Sequence, residues 1–215
     1  MTVTWLGHAC FLLESGGYRV VLDPYDVETY PELRVCAHAV LCSHEHRDHC
    51  FSSAVTLLRD GKQSPFTVGT VDTFHDEKQG ALRGGNKMHI LRAEGLTVVH
   101  AGDLGHELDD AQLAAVKHCD ALLLPVGGYY TVDAPTAKRI VDAVSPRIVV
   151  PMHYRFGTHG YDVLGTVEEF TALCPAAEVT MLDSDSFVLT GKTPRGVLVP
   201  RFAEETQSDK PWKKR

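Results

Sequence analysis

Several large functional classes are excluded by what the chain lacks. No stretch is long and apolar enough to span a bilayer. The opening residues, Met1 to His8, have neither the basic nor the apolar region of a secretory signal, so the cytoplasm is the expected compartment. A basic surplus is also missing. The formal net charge is −7, which argues against a general nucleic-acid binder with a basic stripe. A nuclease is still allowed, because bound cations can supply local positive charge. None of the six cysteines forms a Cys-x-x-Cys pair. Most sit in apolar context, where reduced, buried thiols are expected. Internal repeats and linkers are absent. A length of 215 residues with 44% hydrophobic content suits one domain with a sizeable core, taken as residues 1–206. Residues 207–215 read as a polar, basic, disordered tail.

What the chain does have is Ser43-His44-Glu45-His46-Arg47-Asp48-His49. Three histidines and an aspartate fall in the order His-x-His-x-Asp-His. The apolar run before it, Ala39 to Cys42, reads as a buried strand. His44 and His46 lie two apart, so in an extended exit from that strand both rings point the same way. Asp48 and His49 follow where the chain turns toward a helix predicted at Phe51 to Arg59. Imidazole and carboxylate donors clustered in this way suit zinc, iron or manganese. Cys50 comes next, either as a neighbour of the metal pocket or as a small residue capping the helix.

The first quarter predicts strands at Thr2 to Trp5, Cys10 to Glu14 and Tyr18 to Leu22, with Ser15-Gly16-Gly17 as a hairpin turn. Further strands are predicted at Phe66 to Val68, Lys87 to Leu91 and Leu96 to Ala101. The second half alternates: helix Asp109 to Val116, strand Ala121 to Leu124, helix Ala134 to Val144, strand Ile148 to Val150 and helix Val163 to Leu173. Strands at Val179 to Leu182 and Ser186 to Leu189 close the pattern, and Pro194 onward is less regular. Strand-rich blocks followed by helices suggest an α/β protein, either a four-layer αββα sandwich or an ordinary three-layer fold.

More donors stand where strands end. His75 follows an extended stretch, Gly102-Asp103 ends a strand with a glycine that lets the backbone turn, and His153 follows Val149-Val150-Pro151-Met152. Together with Asp23 at the end of an early strand, these motifs resemble, in order, those of the metallo-β-lactamase superfamily. Trp5-Leu6-Gly7-His8-Ala9-Cys10-Phe11 and His100-Ala101-Gly102-Asp103-Leu104-Gly105 are similar to the branch that contains L-ascorbate-6-phosphate lactonase and many metal-dependent hydrolases. The resemblance implies the αββα sandwich and two divalent cations, Zn2+ first, with Mn2+ or Fe2+ as alternatives. It implies that His44, His46 and His75 hold one cation, that Asp48, His49 and His153 hold the other, and that Asp103 bridges them. The oxygen-reducing iron members carry glutamate where this chain has His46, so hydrolysis is expected, by a hydroxide shared between the metals.

Asp48 is also a candidate for orienting that hydroxide, and Asp23 for a supporting position. His8 is a candidate proton donor to a leaving group or a loop histidine. Tyr154 could bind an oxyanion or simply pack. Arg83 and Asn86 could contact an anionic substrate or form a plain turn. His159 is expected on a mobile loop, and His100 behind Asp103. The expected activity is hydrolysis of a small ester, lactone or phosphoester. Nucleic-acid hydrolysis and non-catalytic metal binding are the alternatives, and the sequence names neither the substrate nor the oligomeric state.

Overall fold

The structure is a computed structural model and describes residues 1–203; the tail expected at 207–215 lies outside them. In chain order the elements are β1 (Thr2–Gly7), β2 (Cys10–Ser15), β3 (Tyr18–Leu22), β4 (Val35–Ala37), β5 (Ala39–Leu41), β6 (Val55–Leu57), β7 (Thr67–Phe74), β8 (Gly85–Ala93) and β9 (Leu96–His100). The second half adds α1 (Asp110–Val116), β10 (Ala121–Pro125), α2 (Ala134–Val144), β11 (Ile148–Met152), α3 (Val167–Thr171), β12 (Val179–Met181), β13 (Ser186–Val188) and β14 (Gly196–Val199).

A five-stranded sheet has the order β13-β1-β2-β3-β5, and a seven-stranded sheet the order β12-β14-β11-β10-β9-β8-β7. Period-two alternation sorts the first sheet's side chains. Val3, Trp5, Phe11, Leu13, Val20 and Leu22 enter the core shared with the second sheet, whereas Leu6, Cys10 and Val21 enter a smaller core on the other side. The β2–β3 hairpin pairs Ser15 with Tyr18 around Gly16 and Gly17, whose φ values are 56° and 74°. Two left-handed residues in a two-residue turn match the twist of the strands, and glycine adopts them without a steric cost.

In the second sheet β10 and β11 are buried along their whole length. They run parallel to each other and to β9 and β14, which explains their unbroken apolar sequences. α2 buries Ala134, Ala137, Ile140 and Val144 at helical spacing. Its first turn is capped by Asp133, which accepts from the Thr136 N–H at 2.9 Å. Among the described residues no helix is long and apolar enough to cross a membrane.

Four local expectations are corrected. The helix at Phe51 to Arg59 is a single 3-10 turn, Ser52–Ala54, followed by β6. β-branched Val55 and Thr56 pair there with β4 in parallel. The outer side of the first sheet is therefore covered by this ribbon and by Tyr25, Val27, Tyr30 and Leu33 of the preceding loop. α3 starts at Val167 rather than Val163, because Thr166 caps it and donates its N–H to Glu169 Oε1 at 3.2 Å. β14 occupies the stretch read as irregular and pairs with β11 and β12. Finally, Cys42 and Cys50 are not free thiols: they form a disulfide, with Cα atoms 5.3 Å apart. Cys10, Cys36, Cys119 and Cys174 are free.

Candidate metal centre

The sheet topology brings the predicted donors together. β1 and β3 are each antiparallel to β2, and β5 is parallel to β3. In the other sheet β7 and β9 are each antiparallel to β8, and β9, β10 and β11 are parallel. The C-terminal ends of β1, β3 and β5 thus share one edge of their sheet, and those of β7, β9 and β11 one edge of theirs. His8, Asp23, the His44–His49 loop, His75, Asp103 and His153 follow those ends. Carboxyl ends of strands are where α/β sheets place their ligand sites. The disulfide joins the residue before Ser43 to the residue after His49 and closes the donor loop on itself.

Each ring is turned by what its Nδ1 touches. His49 Nδ1 lies 2.8 Å from Asp23 Oδ2, His75 Nδ1 3.1 Å from the Tyr130 carbonyl, and His44 Nδ1 2.9 Å from Ser43 Oγ. Asp23 is fully buried and accepts from Ser43 N at 2.7 Å and from Ser43 Oγ at 2.6 Å. The Ser43 hydroxyl therefore spends its proton on Asp23 and accepts from His44. All three rings are thereby held with Nε2 turned inward, the orientation metal-ligating histidines take.

Asp103 lies where those lone pairs meet. Its Oδ2 is 3.1 Å from His49 Nε2, 3.1 Å from His75 Nε2, 3.4 Å from His153 Nε2 and 4.0 Å from His44 Nε2. Its N–H donates to Asn86 Oδ1 at 3.0 Å, and the Asn86 amide donates to the Ala101 carbonyl at 2.9 Å. Gly102 makes this approach possible: at φ +56°, a Cβ there would fall 2.3 Å from Asn86 Oδ1 and 2.4 Å from Ser43 Cβ.

The charges follow from burial and proximity. Burial raises the Asp103 carboxyl, but His153 and His49 beside it outweigh that and hold it well below the usual range. Burial lowers His49 and His75, yet the Asp103 carboxylate raises both above the ordinary imidazole value. Burial and the neighbouring His49 push His44 down to about 3. Asp48 is raised by burial, but its contacts with His8 and His49 bring it below its ordinary value.

Donor atoms fall into overlapping groups whose members lie within 4.8 Å of one another: His44, His46 and His75; His44, His49 and Asp103; and His8, Asp48, His49 and His153. Several of these atoms are buried without a hydrogen-bond partner, among them His44 Nε2, His49 Nε2, both nitrogens of His153 and Asp103 Oδ1. Buried polar atoms are rarely left unpaired. Imidazoles and carboxylates left this way fit divalent cations.

The other predicted residues divide. His8 joins the cluster, fully buried, and burial with His153 nearby lowers it to about 4. Its ligand atom lies with those of Asp48, His49 and His153, and it is not part of the wall of the cavity beside His44 and His46. Tyr154 turns away and stacks on Trp5 with centroids 5.4 Å apart. Asn86 accepts from the Asp103 N–H and also lines the cavity beside His44 and His46. Arg83 donates to the Tyr129 carbonyl at 3.1 Å and lies over the Tyr130 ring. It lines a cavity of about 580 Å³ with His44, His46, Asp72, Phe74 and Lys87. His159 is buried and stacks on Phe156. His100 lies behind Asp103, 2.8 Å from the Ala9 carbonyl through Nε2. One partner escaped the sequence reading: Tyr161 donates its hydroxyl to Asp48 Oδ2 at 3.2 Å. At a sequence separation of 113, no local pattern signals that pair.

Comparison with known proteins places the chain in a family. The family described as Beta-lactamase superfamily domain matches residues 2–153, from β1 through the last donor. A UPF0173 metal-dependent hydrolase of Carboxydothermus hydrogenoformans is 29% identical over 192 residues, covering 72% of this chain and 84% of its own. One from Methanosphaerula palustris is 30% identical over 190 residues, with 72% and 84% covered. Among solved structures, a proposed zinc-dependent hydrolase of the metallo-β-lactamase superfamily from Thermotoga maritima superposes with a TM-score of 0.74 at 31% identity, covering 94% of this chain and 99% of that one. With family match and fold in agreement, the chain belongs to the metallo-β-lactamase superfamily and stands with its metal-dependent hydrolases.

Proposed function

We propose that the protein hydrolyses a small ester, lactone or phosphoester at a centre of two divalent cations, zinc first and manganese or iron as alternatives. The observation that carries this reading is Asp103 Oδ2, within 3.1–4.0 Å of four imidazole Nε2 atoms drawn from two donor clusters. A carboxylate oxygen in that position suits a bridge. His44, His46 and His75 would hold one cation, Asp48, His49 and His153 the other, with Asp103 between. Such a pair, when bound, supplies a water of lowered pKa and polarises the scissile bond.

The chain's own residues orient and select. The Tyr161 hydroxyl occupies one face of Asp48 Oδ2 at 3.2 Å and fixes the direction of that carboxylate. The cavity of about 580 Å³ beside His44 and His46 has the size of a small-molecule site. Its wall sets Glu45 and Asp72 beside Arg83 and Lys87, which favours a small substrate with one anionic group over a nucleic-acid strand. Arg83 would take that group, with its guanidinium stacked on Tyr130 and the loop before it pinned by four backbone N–H bonds into the Asp76 carboxylate.

Elemental analysis of protein purified without added metal, followed by a screen of esters, lactones and phosphoesters, tests the proposal. Two cations per chain are expected, with hydrolysis that disappears in Asp103→Asn. Retained activity in that variant, or fewer than two cations in the native protein after loading, refutes the two-cation reading.

A further inference from the structure

His8 occupies an unusual turn. β1 and β2 pair Gly7 with Cys10, so His8 and Ala9 alone make the connection. Two-residue hairpins favour Asn and Gly, because their residues adopt left-handed φ. His8 does so with φ 50°, a conformation uncommon for residues with a side chain and concentrated at functional sites. Two other donor-region residues share it: Asp23 at φ 46° and His153 at φ 54°. The turn is clamped, since Trp5 Nε1 and the His153 N–H both donate to the His8 carbonyl, at 3.0 Å and 3.2 Å.

The ring held by this clamp makes no hydrogen bond. It is fully buried, among Tyr25, Tyr30, Tyr161, His49 and His153, and neither of its nitrogens makes a hydrogen bond. Nε2 stands 3.5 Å from Asp48 Oδ2, near but not aligned for a hydrogen bond. Its ring centroid is 4.2 Å from that of His153, and the ligand atoms of His8, Asp48, His49 and His153 lie within 4.8 Å of one another. The substrate-sized cavity is lined by His44 and His46 but not by His8, so the ring faces the buried side of the cluster.

We infer that His8 Nε2 is a fourth direct donor to the second cation, beside Asp48, His49 and His153, and that this makes the two cation sites unequal. The inference rests on the two-cation reading above. One site has His44, His46, His75 and a share of Asp103. The other has His8, Asp48, His49, His153 and a share of Asp103, one donor more. It is also the drier site: His8, His49 and His153 are buried, whereas His46 is exposed. The richer, enclosed set holds its cation more tightly and fills first.

The test is a titration of metal-free, full-length protein with Co2+, read by its d–d absorption and by chelator competition. Native protein should take up two equivalents in separate steps. His8→Gln should weaken the tighter step at least about tenfold and leave the weaker step unchanged. The cobalt band of the tighter step should gain intensity as coordination number falls. His46→Ala should weaken only the weaker step. Added imidazole should restore the tight step in His8→Ala, which a purely structural role for the ring would not allow; thermal melts of the metal-free variants check folding. Native affinities with an unchanged cobalt spectrum in His8→Gln overturn the inference and leave the two-cation reading standing. If native protein binds a single equivalent, the two-cation reading falls, and comparing that one step between native protein and His8→Gln still decides the role of His8.

Discussion

Asp23 never touches the cavity, yet replacing it with asparagine should cripple the centre. The carboxylate is fully buried and accepts three bonds: from Ser43 N at 2.7 Å, from Ser43 Oγ at 2.6 Å and from His49 Nδ1 at 2.8 Å. Asparagine keeps the shape. Its carbonyl can still take the Ser43 N–H, but its amide then faces Ser43 Oγ and His49 Nδ1 as a donor. His49 must answer with the opposite tautomer, which puts the proton on Nε2 and removes the lone pair aimed at Asp103. Ser43 Oγ must turn as well, and it is the acceptor that fixes His44. Changes one residue behind a metal ligand cost about 10–100-fold in affinity, equivalent to about 1.4–2.7 kcal/mol. Because the relay reaches His49 directly and His44 through Ser43, both binding steps should weaken, that of His49 more. Losing a bond to a charged acceptor also costs the metal-free fold about 1.5–3 kcal/mol, a fall in Tm of roughly 3–12 °C for a chain of this size. Chelator-competition titration of a variant shown by its melt to be folded is the measurement. Affinities within about twofold of native at both steps would refute the tautomer argument.

Metal uptake should release protons. His49 and His75 are raised above 6.5 in the metal-free protein and must lose their protons to bind, so apparent affinity should climb with pH through neutrality; calorimetric enthalpies that do not depend on the buffer would contradict this. His44 and His8, lowered to about 3 and about 4, should contribute no protons above pH 5. The Cys42–Cys50 bridge closes a loop with a sequence separation of 8, for which chain entropy gives about 2–3 kcal/mol; Cys42→Ser with Cys50→Ser should lower the metal-free Tm by roughly 5–10 °C, and a melt unchanged by reductant would deny the bridge that role. Arg83→Ala should raise KM for substrates with an anionic group and leave kcat and neutral substrates nearly unchanged, as steady-state kinetics on matched pairs would show.

The parts of the fold that were legible depend on short-range chemistry. Gly16-Gly17 forces a hairpin, helical spacing of apolar residues marks α2 from Ala134 to Val144, and the apolar runs of β10 and β11 read directly as strands. The candidate donors were legible because all of them follow strand ends, and strand ends are visible as apolar runs that stop. What was missed depends on pairing across the chain. Val55 to Leu57 is a strand only because β4 lies beside it, and Gly196 to Val199 only because β11 and β12 receive it. Asn86 was legible only as a residue near a substrate; its bond from the Asp103 N–H, 17 positions away, was not. Cys42 and Cys50 straddle the most conspicuous motif of the sequence, yet their pairing depends on the donor loop folding back through nearly a full circle.

That closed loop shows how the centre can exist before any cation enters. A cluster of imidazoles around Asp103, several with lone pairs unsatisfied, opposes folding, because each desolvated polar atom left unpaired costs about 1–3 kcal/mol. Residues held at positive φ in His8, Asp23 and His153 add backbone strain. The opposing terms all lie outside the donor atoms: the disulfide across Ser43 to His49, the Nδ1 contacts that fix the rings, and the apolar core shared by both sheets. A cation that binds only the folded chain then stabilises it further by mass action, about 2.7 kcal/mol at a hundredfold excess over Kd. The same unpaired polar atoms that weaken the metal-free protein are therefore the ones a bound cation would satisfy.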